Sequence, residues 1–266
     1  MERGFTLVIP LYNKVNCIRI TLDSVLNRHG NYPFKCIIVD DDSTDGSSEI
    51  GEEYDTKYPD IFTYVKIKHH GKKSPSNARN LGIKLAETEY IGFLDADDEL
   101  CAGFIDRGCT FMDEHPEYNM YSNGHIVRDI NEKGEYVYTN IYCQEGVYND
   151  FMQIFSSHFC DVHFCAGIYK TELVKQILFG TDVCFEDSVF KLEYAYKCLP
   201  LYVDNSTSET IIHNNYTSQC SEWNTLTDNN HGWILNILLD FKRKAKCGEY
   251  DFWEDENGTV MFQKIK

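Results

Sequence analysis

The stretch EYIGFLDADDEL, Glu89 to Leu100, decides the fold of this chain. Its segment Tyr90–Leu94 predicts a buried β-strand. Four acidic residues follow at once, namely Asp95, Asp97, Asp98 and Glu99. Carboxylates this close repel one another and raise one another's pKa unless a positive charge lies among them. The stretch therefore predicts a strand that ends either in a solvated loop or beside a bound divalent cation.

The surrounding sequence alternates between strands and helices. Apolar runs at Phe5–Tyr12 and Cys36–Val39 resemble the first one, and segments with helical spacing separate the three. Such a pattern indicates an α/β fold with a Rossmann-like, mostly parallel sheet and helices on both faces. The pattern after Leu100 is mixed, and Met120–Asn140 predicts two strands joined by a turn at Glu132-Lys133-Gly134.

The composition predicts a chain with one sizeable core. Of its 266 residues 42% are hydrophobic, which suits one large α/β domain or one domain with an appendage. The net charge of −17 argues against nucleic acid as a partner. The N-terminus lacks a signal segment and no stretch approaches a membrane span, so we expect a cytoplasmic protein whose 11 cysteines are reduced thiols.

Two acidic clusters are expected at one edge of the sheet. Asp40, Asp41 and Asp42 end one strand, and the DADD segment ends another. Ligands of parallel α/β sheets bind beyond the carboxyl ends of the strands. The alternative is that these acids form turns and cap helices, which is the commoner fate of an isolated DxD pattern.

The usual glycine-rich phosphate loops are missing from the sequence. There is no GxGxxG after the first strand and no GxxxxGK[ST] anywhere. If a nucleotide diphosphate binds, Mg²⁺ or Mn²⁺ held by the carboxylates is the natural substitute for loop amides.

Four segments in order resemble the signatures of the family-2 inverting glycosyltransferases, which have the GT-A fold. They are TLVIPLYN, IIVDDDSTDGS, SNARNLGIKLAETEYIGFLDADD and FEDSVF, and they extend from Thr6 to about Asp187. The family usually has a glycine where Asp42 stands. The resemblance implies a nucleotide-sugar-binding half at residues 1–100 and an acceptor-binding half of the same domain at 101–222. Residues 223–266 are predicted to form a C-terminal helix and tail.

The resemblance also implies a role for each matching residue. Asp97 would ligate the metal on the diphosphate, Asp95 would contact the ribose or the metal, and Asp187 would be the catalytic base. The other nucleotide-sugar contacts would be Pro10 and Tyr12 under the nucleotide, Asp40 and Asp41 on the uracil or ribose side, and Arg79. Without the ordered motifs, Arg79 would be interpreted as a surface ion pair and Glu186-Asp187 as a helix cap.

Three features outside these motifs allow two interpretations each. His213 lies where the family often has an arginine or histidine near the diphosphate, so it is a candidate metal ligand or phosphate contact, or a structural histidine. His158, Cys160, His163 and Cys165 have zinc-type side chains, but their spacing favours core thiols and acceptor-site histidines. The helix with the basic run Lys242–Lys246 either lies at a membrane surface or, as we favour, packs on the domain.

The sequence thus predicts a metal-dependent, inverting glycosyltransferase of glycan or polysaccharide biosynthesis. Its donor would be a nucleotide-diphosphate sugar, most simply a UDP-sugar, and its acceptor a glycan, lipid-linked or other hydroxyl. A nucleotidyltransferase is one rival, although Lys14 is the only basic residue beside the first strand's end. A catalytically silent binding protein of the same fold is the other, and the intact Asp95, Asp97 and Asp187 argue against it.

Overall fold

The described part of the chain forms a main sheet of eight strands. The computed structural model describes residues 1–27, 30–68, 74–151, 153, 163–181, 185–206, 211–214, 232–254 and 260–265. The strands of the main sheet are β1 (Glu2–Leu11), β2 (Phe34–Asp41), β3 (Phe62–Ile67), β4 (Thr88–Phe93), β6 (Met120–Asn123), β9 (Gly146–Tyr148), β10 (Gly167–Lys170) and β11 (Leu201–Asp204). They lie in the order β3-β2-β1-β4-β10-β6-β11-β9.

The first four strands are parallel, as predicted. β1 pairs with β2 on one side and with β4 on the other, and β3 continues the sheet beyond β2. Val8, Ile38 and Ile91 are fully buried on these strands, because helices cover both faces of a parallel sheet. Parallel pairing brings the ends of β1, β2 and β4 to one edge, so both acidic clusters lie there.

Four helices accompany this parallel half. They are α1 (Ile18–Leu26), α2 (Ser47–Lys57), α3 (Ser76–Leu85) and α4 (Phe104–Glu114). α3 packs closely on β1 at Gly82, where a Cβ would collide with the side chain of Val8. The missing side chain therefore allows α3 to approach the sheet, and α3 carries Arg79 to the edge where the acidic clusters lie.

The second half is mixed, and one prediction about it was wrong. Met120–Asn140 holds three strands, because the chain leaves the main sheet after β6 and continues as β7 (His125–Ile130) and β8 (Tyr136–Ile141). These two join β5 (Glu99–Leu100) and β12 (Ile211–Asn214) in a four-stranded sheet of order β5-β12-β7-β8. This second sheet brings β12 next to the acidic segment that follows β4.

The C-terminal part packs on the second half. α5 (Thr171–Ile177) and α6 (Glu186–Lys197) precede α7 (Gly232–Ala245), and a hairpin of β13 (Tyr250–Glu254) and β14 (Val260–Lys264) follows. Lys244 of α7 forms an ion pair with Glu193 of α6, which is 2% exposed, and donates to the carbonyl oxygens of Ile177 and Leu178. The basic run therefore ties α7 to the domain, as we favoured. Among the described residues, no helix has the length and apolarity that crossing a bilayer requires.

Candidate active site

Two loops at the carboxyl edge of the sheet are joined by hydrogen bonds. Three successive amides after β1 donate to side chains of the loop after β2. The pairs are Asn13 N to Ser43 Oγ (3.0 Å), Lys14 N to Ser47 Oγ (2.8 Å) and Val15 N to Asp45 Oδ2 (3.0 Å). The STDGS segment after the aspartates thus uses its hydroxyls and carboxylate to position the β1 loop. Pro10 is buried near the end of β1, and Tyr12 follows it half-buried.

The three aspartates after β2 have different environments. Asp40 is fully buried and accepts bonds from Ser43 N (2.8 Å), Ser48 Oγ (2.5 Å) and Tyr64 Oη (2.6 Å). Its carboxylate therefore holds the loop together from inside. Asp41 is 5% exposed beside it. Asp42 has a φ of 64°, a left-handed conformation that glycine adopts without strain and that aspartate tolerates better than most residues. The departure from the family's usual glycine therefore leaves the turn intact.

The DADD segment forms a tight turn over α1. The amide of Asp98 donates to the carbonyl of Asp95 (3.0 Å), and Thr21 Oγ1 of α1 donates to the carbonyl of Ala96 (3.0 Å). Asp97 Oδ2 forms an ion pair with Lys14 Nζ at 2.6 Å, and both side chains are largely buried, with exposures of 11% and 17%. Lys14 therefore holds the carboxylate to which the sequence assigned the metal.

Arg79 connects the DADD segment to the start of α6. Its guanidinium is 4% exposed and bonds Asp95 Oδ1 through Nη2 (2.7 Å) and Glu186 Oε1 through Nη1 (2.9 Å). Its Cζ lies 5.1 Å from the ring centre of Phe164 and 5.3 Å from that of Phe179. Arg79 is therefore a buried bridge rather than a surface ion pair. Burial raises the pKa of Glu186, and the nearby Arg79 charge opposes that rise.

Asp187 lies beside this bridge, in the first turn of α6. Its Oδ1 accepts a bond from the amide of Ser188 (2.7 Å), and within the described part of the chain it makes no ion pair of its own. Glu186 rather than Asp187 bonds the arginine. Phe185, directly before the helix, has a φ of 54°, a costly conformation for an aromatic residue and one that is concentrated at functional sites.

His213 bonds Asp98 and not Asp97. Its Nδ1 lies 3.0 Å from Asp98 Oδ1, and Asp98 is fully buried. Burial alone would lower the pKa of His213, but the bonded Asp98 and the other nearby aspartates raise it to about 9. Burial also raises the pKa of Asp98, to about 6, against the opposing effect of His213.

Two more histidine rings line up behind His213. The ring of His163 lies 4.7 Å from that of His213, and the ring of His125 lies 5.0 Å from that of His163. Burial lowers the pKa of His125 to about 4 and that of His163 well below its usual value. Both rings are therefore neutral at physiological pH, the state in which imidazole ligates a metal, whereas His213, with its raised pKa, has to lose a proton before it can ligate one.

The donor atoms at this edge suit a divalent cation. One ligand atom each from Asp98, His163 and His213 lie within 4.8 Å of one another, and a second such group joins Asp95, Asp98 and Cys165. Carboxylate and imidazole donors fit Mn²⁺, and carboxylates alone fit Mg²⁺. Of the four zinc-type residues noted in the sequence, Cys165 is a buried thiol, as favoured, and His163 faces His213, whereas His158 and Cys160 lie outside the described residues.

The model of the family described as Glycosyl transferase family 2 matches residues 6–177, well over half of the chain. The chain belongs to this family. Its ordered motifs predicted this family. The minor teichoic acid biosynthesis protein GgaA of Bacillus subtilis is 29% identical over 204 residues. That match covers 70% of this chain but only 42% of GgaA, so the glycosyltransferase spans less than half of that relative.

Solved structures confirm the predicted GT-A fold. The glycosyltransferase superposes on Staphylococcus aureus TarS 1–349 in complex with UDP-GlcNAc with a TM-score of 0.68 and 20% identity, over 91% of this chain and 66% of the other. It also superposes on the mannosyltransferase PcManGT of Pyrobaculum calidifontis in complex with GDP-Man and Mn²⁺, with a TM-score of 0.57 and 17% identity. That match covers 92% of this chain and 65% of PcManGT.

Sequence reasoning did not find the contacts between motifs. Lys14 was noted only as a possible phosphate-loop lysine, yet it pairs with Asp97 across 83 positions. Glu186 was considered only together with Asp187, yet it meets Arg79 across 107 positions. The one available signal was the lone lysine at the end of β1, since a cation beside several carboxylates rarely remains without an acidic partner.

Proposed function

We propose that this glycosyltransferase moves a sugar from a nucleotide-diphosphate sugar, a UDP-sugar in the simplest case, to an acceptor hydroxyl with inversion. The observation that carries the proposal is the buried Arg79 bridge. It bonds Asp95 of the DADD segment with one nitrogen and Glu186, the neighbour of Asp187, with another. The bridge thereby holds the DADD segment beside the first turn of α6, which carries Asp187, the carboxylate proposed as base.

The donor side uses the edge formed by the ends of β1, β2 and β4. We place the nucleotide beside Asp41 and Tyr12. The grouped ligand atoms of Asp98, His163 and His213 supply donors for Mn²⁺ or Mg²⁺, and Asp97, the neighbour of Asp98 in the chain, is proposed to join them. A divalent cation bound there would supply Lewis-acid stabilisation of the departing diphosphate. The support from related folds is that TarS 1–349 was solved with UDP-GlcNAc and PcManGT with GDP-Man and Mn²⁺. Asp40 contributes indirectly, because its carboxylate holds the loop that presents Asp41.

The proposed base is Asp187. An inverting transfer is one displacement, in which the acceptor oxygen attacks the anomeric carbon while the bond to the diphosphate breaks on the opposite face. As the new bond forms, Asp187 takes the proton of the acceptor hydroxyl. Glu186 is unsuited to this task, because its carboxylate bonds Arg79. Asp187 accepts one amide bond and has no such partner in the described structure.

The acceptor class is proposed from the name of a relative. GgaA is named for teichoic acid biosynthesis, so we infer an acceptor hydroxyl on a cell-surface glycan or polyol polymer, free or lipid-linked. We propose that the acceptor lies beside the four-stranded sheet, because β12 of this sheet pairs with β5, the strand that directly follows the DADD segment.

The donor is tested first, by thermal denaturation with a panel of nucleotide sugars with and without Mn²⁺. A true donor raises the melting temperature, because a ligand that binds only the folded state stabilises it by RT ln(1 + [L]/Kd). A panel in which no nucleotide sugar stabilises the protein, with or without Mn²⁺, contradicts the proposal.

The base is tested with the donor found in this way and a panel of acceptors. Asp187→Asn is expected to reduce transfer by about 10²-fold or more, while donor affinity measured by calorimetry stays unchanged. The matched control is Glu172→Gln, since Glu172 also lies in the first turn of a helix, α5, and it should retain full activity. Full activity in Asp187→Asn would rule out this carboxylate as the base.

A further inference from the structure

The hairpin of β7 and β8 presents a row of exposed tyrosine side chains. Tyr136 and Tyr138 of β8, and Tyr142 just past its end, are each more than half exposed. Alternate residues of a strand point to the same face, and Asn140 Nδ2 lies 3.4 Å from Tyr142 Oη, so the three rings share one face. Single exposed aromatic residues are common on protein surfaces, whereas a contiguous group of them is typical of a binding surface. We call these three residues the tyrosine row.

Arg128 connects the tyrosine row to the candidate active site. It lies opposite Tyr138 in the pairing of β7 with β8, and its Cζ is 5.0 Å from the ring centre of Tyr136. Its guanidinium pairs with Glu99, which directly follows the DADD segment, and its Nε donates to Asn214 Oδ1 of β12 (2.7 Å). The tyrosine row therefore lies on the face of the four-stranded sheet along which Arg128 reaches the end of the DADD segment.

The distance across this sheet determines the size of a ligand that could use the tyrosine row. In the order β5-β12-β7-β8, three spacings separate β8 from β5, the strand that follows the DADD segment. Neighbouring strands lie about 4.8 Å apart, so the separation is about 14 Å. A single sugar ring is much shorter than this. A ligand that reaches both the DADD segment and the tyrosine row is therefore a chain of several units.

The charges around the tyrosine row favour a neutral chain. The charge of Arg128 is paired with that of Glu99, and the turn between β7 and β8 carries Glu132 and Glu135 against Lys133. With a net charge of −17 on the whole chain, this surface repels a polyanion. A neutral glycan fits better, because the C–H groups on one face of a sugar ring pack on an aromatic ring and tyrosine hydroxyls bond sugar hydroxyls.

We propose that the tyrosine row binds the distal sugars of a neutral glycan acceptor whose reacting end lies at the DADD segment. The inference rests on the proposed function and narrows its acceptor to a neutral glycan chain. The enzyme then binds the acceptor at two places, and an acceptor long enough to reach both binds more tightly than its terminal sugar alone. Because the row lies about 14 Å from the DADD segment, it contributes to acceptor binding and not to the chemical step.

The experiment measures binding of the fluorescently labelled protein to an array of glycans. The array holds neutral glucans, galactans, mannans and N-acetylhexosamine chains, each from the monosaccharide to long oligomers, and poly(ribitol phosphate) as a polyanion. Wild type is compared with the double variant Tyr136→Ala/Tyr138→Ala and with Tyr138→Phe, which keeps the ring. The controls are Val137→Ser, on the opposite face of β8, and Trp253→Ala, an exposed aromatic residue of the other hairpin. Circular dichroism of each variant checks that it is folded.

Wild type is expected to bind long oligomers of at least one neutral glycan and to bind the corresponding monosaccharide much more weakly. The double variant should lose about tenfold or more of its affinity for the long oligomer, as when aromatic anchors of an interface are truncated. Tyr138→Phe should lose less, and the two controls should match wild type. In transfer assays with the same oligomer, the double variant should raise KM and leave kcat unchanged.

The possible failures are distinguishable. Equal glycan binding by wild type and the double variant, or no binding to any glycan, would overturn the role of the tyrosine row. Stabilisation by a nucleotide sugar would still leave the proposed function standing. Binding of poly(ribitol phosphate) alone would overturn the neutral acceptor, and a dimer in sedimentation velocity that the double variant abolishes, without glycan binding, would assign the row to a second copy of this chain. Glycan binding with no stabilisation by any nucleotide sugar would overturn the proposed function itself.

Discussion

Replacing Arg79 by methionine is expected to cost about 3–5 kcal/mol of unfolding free energy at neutral pH, the range for removing one partner of a buried ion pair. The guanidinium is 4% exposed and bonds both Asp95 and Glu186. Its loss leaves two adjacent carboxylates without a compensating charge. Methionine keeps most of the apolar stem beside the rings of Phe164 and Phe179. The loss of unfolding free energy therefore measures the missing charge and not the creation of a cavity.

Urea denaturation followed by tryptophan fluorescence measures the loss. The matched control is Arg19→Met. Like Arg79, Arg19 forms ion-pair hydrogen bonds through two of its nitrogens, here to the carboxylate of Glu53, but both side chains are 47% exposed. An exposed pair of this kind contributes less than about 1 kcal/mol. Arg79→Lys keeps the positive charge but not the planar guanidinium, and its loss of unfolding free energy should lie between those of Arg79→Met and Arg19→Met. If Arg79→Met loses no more than Arg19→Met, the buried bridge does not stabilise the fold.

The loss of unfolding free energy in Arg79→Met should also be smaller at acidic pH. Burial raises the pKa of Glu186 and Arg79 opposes this rise, so removing the arginine raises that pKa further. A carboxyl whose pKa is higher in the folded state binds protons more readily there, and its contribution to stability grows as the pH falls through that pKa. The deficit measured at about pH 5.5 should therefore be smaller than at about pH 8. A deficit that grows towards acid would refute this assignment.

Three further predictions concern stability and metal binding. Lys244→Met should lower the free energy of unfolding by about 3 kcal/mol, because it removes a positive charge beside the buried carboxylate of Glu193. Lys242→Met breaks a more exposed pair and should cost less than about 1 kcal/mol. Equal shifts of the melting temperature in the two variants would contradict this. Gly82→Ala should cost about 1–3 kcal/mol in urea denaturation through its collision with Val8, and an unchanged midpoint would show that the helix can shift. His213→Asn should weaken Mn²⁺ binding about tenfold or more by calorimetry, and an unchanged affinity would remove His213 from the ion site.

The parallel half of the fold was predictable because its signals are local. β1, β2 and β4 each contain a short run that is mostly apolar, which is typical of strands covered on both faces. The three strands in Met120–Asn140 were not separated, because Gly124 alone stands between β6 and β7. No local sequence pattern in that segment indicates that the chain passes from one sheet to the other there.

The sequence proposes the residues of the candidate site, and their roles stay predictions, but it does not predict the contacts between them. Parallel pairing alone placed both acidic clusters at one edge. Which basic side chain pairs with which carboxylate depends on how α3, α6 and β12 pack, and no local sequence pattern encodes that packing. His213 is the clearest case. It was predicted as a candidate metal ligand or phosphate contact, or a structural histidine, and its contact with Asp98 was not predicted.

The hydrogen bonds between the loops after β1 and β2 have a consequence for protein engineering. Asn13, Lys14 and Val15 donate their amides to hydroxyl and carboxylate groups of the other loop, and Asn13 Oδ1 accepts the amide of Thr44 in return (2.9 Å). A chimaera that takes only one loop from another glycosyltransferase would break these pairs and leave partly buried polar groups unsatisfied. The two loops therefore form one transferable cassette, and recombination aimed at new donor specificity should exchange both at once.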